Sequence, residues 1–336
     1  MGTGSGNQVY FSFFMFTANL RPGDAAAADV WIRHIKTLAD MGYSGFDLPI
    51  APPAGSDPWA DLGAYEQLKA RFDRAGLKTV GFTTNVGTTR TFDPTSPYSE
   101  QRALALEYLK SRVEITRILG GETIMAGPVI FPYGQFPTTD SGQPLWSDAL
   151  QDWLAPRYLN AAPILQELGV YAAERNVKVA IEPVDHWETP APNMVSDVLQ
   201  ALHGVQSAQI GLTIDSAHVA LGSTGPEVFR DDVQTCARQK RLHYIHVSPP
   251  DRGQFVDSWL PWDIFLSAIL PHYDGPLLLE VFNAVEPFTE GLRITRRKFW
   301  IPGEDPPRQD WPSAYQVAQD GISLLREKID ALFPVN

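Results

Sequence analysis

The chain has one cysteine, Cys236, in 336 residues. An internal disulfide framework is therefore excluded. Cys236 lies in the helix-like run 232–238 and reads as a small packed residue rather than a nucleophile. No stretch reaches the roughly 20 apolar residues of a membrane span. Residues 1–8 carry neither the basic region nor the apolar core of a secretory signal. These absences point to a soluble, cytoplasmic protein with no membrane partner. Basic residues are also scarce: 27 Lys and Arg stand against 39 Asp and Glu, a net charge of −12. Such an acidic surface repels phosphate backbones, so no nucleic-acid partner is expected. No Gly-x-Gly-x-x-Gly follows the first strand-like run, which counts against a dinucleotide-binding open sheet.

Apolar mass is plentiful. With 44% hydrophobic and 20% charged residues, the chain can build a sizeable core. Strand-like runs occur at 9–16, 45–49, 79–84, 122–126, 178–182, 209–215, 243–246 and 277–280. Helix-like segments follow at 25–41, 62–75, 99–119, 155–175, 195–203, 226–240, 261–270 and 311–332, several ending at glycine. Eight β-then-α units predict one α/β domain, a single (β/α)8 TIM barrel over 9–336, with a flexible N-terminus at 1–8. Two βα connections are long, 50–60 and 129–154. The second carries Tyr133, Phe136 and Trp146. It is expected to close one side of a pocket and set substrate size, because aromatic rings make broad apolar walls.

Four polar residues end the last four strand-like runs: Glu182, Asp215, His246 and Glu280. A barrel gathers the C-terminal ends of its strands on one face, where its chemistry sits. One strand-end acid reads best as a structural salt bridge. Four converging ligands read better as a divalent-metal site, oxygen-rich with one imidazole, suited to Mn2+ or Mg2+. Glu188, His218 and Arg252 lie a few residues beyond, in loops above that set. His243 reads as a satisfied core histidine.

The segments 181–189 (Ile-Glu-Pro-Val-Asp-His-Trp-Glu-Thr), 214–218 (Ile-Asp-Ser-Ala-His) and 246–252 (His-Val-Ser-Pro-Pro-Asp-Arg) carry a resemblance. They look like the sugar phosphate isomerase/epimerase superfamily of xylose isomerase-like TIM barrels, and most like its ketose 3-epimerases of the tagatose/psicose type. Arg102, residues 108–110 and 119–121 add to it. The resemblance implies metal ligands at Glu182, Asp215, His246 and Glu280, with Mn2+ first and Mg2+ or Co2+ as alternatives. It implies acid/base roles for Glu182 and Glu280, and substrate contacts from Glu188, His218 and Arg252. It also implies a sugar substrate, a homo-oligomer (dimer or tetramer), and epimerisation at C3 of a ketose through a metal-bound enediolate. The alternative reaction on the same site is β-elimination from a 3-keto-glycoside, a lyase. The chain departs from the pattern at Asp185-His186, usually Asn-Arg, at 254–260, and at 299–302.

Overall fold

The computed structural model describes residues 6–121, 123–258, 260–283 and 299–333. Eight parallel strands close into a barrel in chain order, β1 pairing with β8 through Val9 and Leu277. They are β1 (Val9–Ser12), β2 (Gly45–Pro49), β3 (Gly81–Asn85), β4 (Ile124–Gly127), β5 (Lys178–Ile181), β6 (Ile210–Asp215), β7 (Leu242–Val247) and β8 (Leu277–Leu279). Around them run α1 (Ala25–Asp40), α2 (Leu62–Arg74), α3 (Ser99–Gly120), α4 (Ser147–Ala173), α5 (Val195–Ala201), α6 (Ser216–Gly222), α7 (Pro226–Arg238), α8 (Trp262–Ile269) and α9 (Ala314–Leu332). The expected (β/α)8 barrel is the observed fold. No described helix is long and apolar enough to cross a membrane.

Three local expectations differ. The first strand stops at Ser12, whose hydroxyl accepts from Phe14 N–H and starts a 3-10 turn over Phe13–Met15. α4 begins at Ser147 rather than at 155 and accommodates Pro156 and Pro163 inside it, so the β4–α4 loop is shorter than expected. α6 was not anticipated; its signal is Asp215, which accepts from Ala217 N–H at 2.7 Å as an N-cap. Residues 1–5 of the N-terminal stretch and Glu122 of the fourth strand-like run lie outside the described residues.

Inside the barrel, Tyr10, Ile124, Ala126, Ala180, Tyr244 and Leu278 form a small apolar cluster, separate from the main core. Tyr10 needs glycine neighbours. A Cβ on Gly45 would sit 2.5 Å from its ring, and one on Gly81 would sit 2.0 Å from its hydroxyl. Side chains alternate along a strand, so residues two further on face inward again. Ala180 is followed by Glu182, Thr213 by Asp215, Tyr244 by His246 and Leu278 by Glu280. The apolar plug thus fixes, by period alone, which strand-end residues point into the barrel mouth.

The β2–α2 loop is pinned from outside. Arg112 of α3 is fully buried and pairs with Asp61, one contact at 2.9 Å. It also donates to the carbonyls of Ala51 (2.8 Å) and Pro58 (3.0 Å). Satisfied on all sides, the guanidinium holds this loop over the barrel mouth.

Candidate metal and sugar site

Glu182, Asp215, His246 and Glu280 are buried and converge. One ligand atom from each lies within 4.8 Å of the others. Backbone pairing sets their height: Glu182 N–H donates to Gly127 O (3.1 Å), and Glu280 N–H to Val247 O (3.0 Å). His246 turns Nδ1 toward the acids, donating to Glu182 Oε1 at 3.0 Å with Glu280 Oε2 at 3.8 Å.

Three buried carboxylates this close repel one another and need positive charge. Burial pushes the His246 imidazole down, but Glu182 and then Glu280 raise its pKa to about 10. Burial, with Asp215 and Glu182, holds Glu280 well above the usual carboxylate range. Against burial, Arg252, then His218 and His246, hold Asp215 at about 2. Glu182 is also lowered, by His246 and then His218 working against burial. The donor set, three carboxylates and one imidazole, fits a hard or borderline divalent cation.

A second cluster sits beside the first. His218, on the first turn of α6, places Nδ1 3.2 Å from Asp185 Oδ2 and Nε2 3.6–3.8 Å from oxygens of Glu182, Asp215 and Glu188. Arg252 Nη2 reaches His218 Nε2 at 2.6 Å, while Nη1 donates to Asp215, to Ser248 Oγ at 3.0 Å and to Glu280 at 3.4 Å. The guanidinium lies over the Phe282 ring at 4.7 Å. Arg252 adopts a left-handed backbone (φ 57) held by Pro249 O and Phe282 N–H. Tyr133 donates to Glu188 Oε1 at 3.1 Å. Burial raises the Glu188 pKa.

Every site residue expected from sequence therefore falls in one place. Sequence reasoning passed over Asp185 as a partner of His218 and Ser248 as a partner of Arg252. The one advance signal was position: both sit in the loops just after strand-end ligands.

A cavity of about 360 Å³ opens above the cluster. Glu182, Glu188, His218, Arg252 and Glu280 form its floor, and Phe14, Ile50, Pro52, Val184, Tyr133 and Phe282 are among its walls. Of the β4–α4 loop aromatics, Tyr133 lines this cavity. Phe136 and Trp146 are exposed and are absent from its lining. Between them the loop doubles back, with a single antiparallel bridge of Thr138 opposite Pro144.

A family model for xylose isomerase-like TIM barrels matches residues 35–298. The chain belongs to that family. A crystal structure of an Anabaena variabilis protein, designated only provisionally as a sugar phosphate isomerase/epimerase, is 53% identical and superposes with a TM-score of 0.93, covering 97% of this chain and 99% of that one. An L-ribulose 3-epimerase of Methylomonas sp. is 23% identical over 274 residues, 80% of this chain and 86% of the relative. The structure of a D-allulose 3-epimerase from Methylomonas sp. with D-allulose shares the fold at 20% identity, with a TM-score of 0.72, covering 96% of this chain and 98% of that one. The curated relatives are thus sugar epimerases.

Proposed function

We propose that this chain is a divalent-metal-dependent ketose 3-epimerase. Glu182, Asp215, His246 and Glu280 would hold the cation, Mn2+ first, with Mg2+ or Co2+ as alternatives. A cation held there supplies Lewis-acid stabilisation of the negative charge that develops on neighbouring substrate oxygens. The chain's own residues do the rest. Glu182, reaching in from β5, takes the C3 proton from one face of the sugar. Glu280, reaching in from β8, returns a proton to the other face. Arg252 donates to an oxygen beside the reacting carbon, where charge accumulates. His218 and Glu188 hold hydroxyls, and the walls exclude water.

The observation that carries this reading is the pairing of Glu182 and Glu280. Both carboxylates line one cavity, one from the end of β5 and one from the end of β8, and converge with Asp215 and His246. Two carboxylates reaching one cavity from different strands suit one to accept a proton and the other to give one.

The test is incubation of the purified protein with Mn2+ and a panel of ketoses in D2O, followed by NMR. Deuterium at C3 of substrate and epimer is the expected result. Incorporation at C1 or C2 alone would mean aldose–ketose isomerisation. Release of an aglycone from 3-keto-glycosides, with inert ketoses, would replace epimerisation with β-elimination.

A further inference from the structure

The Arg252–His218 contact defines which ring nitrogen carries a proton. Arginine is a donor only. At 2.6 Å, Nη2 must donate to His218 Nε2, so Nε2 presents its lone pair. The imidazole proton then resides on Nδ1, and 3.2 Å away lies the buried carboxylate oxygen Oδ2 of Asp185. Asp185 is itself fixed. Its N–H donates to Glu188 Oε2 at 3.2 Å, and its carbonyl accepts from Glu188 N–H at 2.8 Å and Thr189 N–H at 3.2 Å. The order is carboxylate, imidazole, guanidinium, and then the acids Asp215 and Glu280.

We infer that Asp185 is a positioning residue: by accepting a hydrogen bond from Nδ1–H it locks the His218 ring and tautomer, so that the Nε2 lone pair accepts from Arg252 and fixes the guanidinium at the cavity floor. Without Asp185 the contact left to Nδ1 is Arg252 Nη2 at 3.4 Å, a donor that favours a lone pair there, and the proton can move to Nε2. An Nε2–H would then face the Arg252 N–H, and that contact would open. Asp185 and Glu188 share one tight turn, so the lock also ties His218 to Glu188 across the cavity floor. The division of labour makes a chemical demand on the substrate. It must offer an oxygen acceptor to the Arg252 guanidinium that His218 holds in place. This demand rests on the proposed epimerase function; the tautomer itself does not.

The test uses histidine-labelled protein (15N) and long-range 1H–15N NMR at mildly alkaline pH, with H218Q identifying the His218 signals. In wild-type protein the proton should sit on Nδ1. Asp185→Ala should move it toward Nε2 or average the two nitrogens. Asp185→Asn should restore the wild-type pattern, because its amide oxygen accepts the same proton. A wild-type proton on Nε2, or unchanged His218 signals in D185A, overturns the proposal; the wild-type spectrum decides it even if D185A does not fold. On a ketose that wild-type protein epimerises, D185A should lose about 10–100-fold in kcat/KM, as for other residues that orient a functional imidazole. D185N should recover most of that loss. Absence of turnover in wild-type protein would count against the epimerase reading and leave the tautomer test standing.

Discussion

Metal binding at this site should compete with a proton, and the structure sets the size of the effect. The acids around His246 raise its imidazole from 6.5 to about 10. A ligating imidazole must be neutral, so at neutral pH each cation bound must displace that proton. One proton released means a tenfold gain in affinity per pH unit, about 1.36 kcal/mol. Between about pH 6.5 and 8.5, Mn2+ affinity should therefore rise roughly 100-fold. Glu280, whose pKa also lies well above the usual range, steepens the slope further wherever it too is protonated. The sign for the chelated protein is opposite. The His246 proton stabilises the fold fully below about pH 6.5, and that contribution is lost as pH climbs through about 10. Isothermal titration of chelator-treated protein with Mn2+, in buffers of different ionisation heat, counts the protons directly. His246→Gln should lower the count by one. An affinity that changes less than about threefold over those two pH units, or no proton release, would refute the reasoning.

Four further outcomes follow from the geometry. Glu182→Gln and Glu280→Gln should each keep the fold by circular dichroism and lose at least about 10²–10⁴ of the turnover, the scale of a general acid or base; wild-type turnover in either would end the two-acid scheme. Arg112→Met leaves Asp61 and two carbonyls without their buried donor, so urea unfolding should report a loss of about 3–5 kcal/mol; less than about 1 kcal/mol would mean the loop is not held by this residue. Gly81→Ala should destabilise by at least about 1–3 kcal/mol, since its Cβ would overlap the Tyr10 hydroxyl; calorimetry showing an unchanged melting temperature would contradict that packing. Tyr133→Phe, which removes the donor to Glu188, should raise KM, whereas Trp146→Ala should leave substrate preference unaltered; the reverse pattern would restore the exposed loop aromatics as the specificity wall.

Much of this protein was legible in the chain. Continuous apolar runs, spaced by helical runs, pointed to the barrel, because eight such units bury both faces of their strands when the sheet closes. Placement at the ends of four strand-like runs pointed to Glu182, Asp215, His246 and Glu280 as one converging set, which the barrel brings together. Local chemistry also hid in view: Asp215 before Ser216-Ala217-His218 is an N-cap, and the helix it starts is what aims His218 at the cavity.

Tertiary structure decided the rest. That Tyr133 lines the cavity while Phe136 and Trp146 are exposed is something aromatic content does not announce. The fastening of the β2–α2 loop depends on Arg112, 51 residues from its partner Asp61. Asp185 stood out in the sequence only as a departure from the family pattern; α6 brings His218 to it across 33 positions of sequence. Periodicity tells which way a side chain points along one element. Which donor meets which acceptor between elements depends on where the closed barrel sets them in space, and no local pattern encodes that distance.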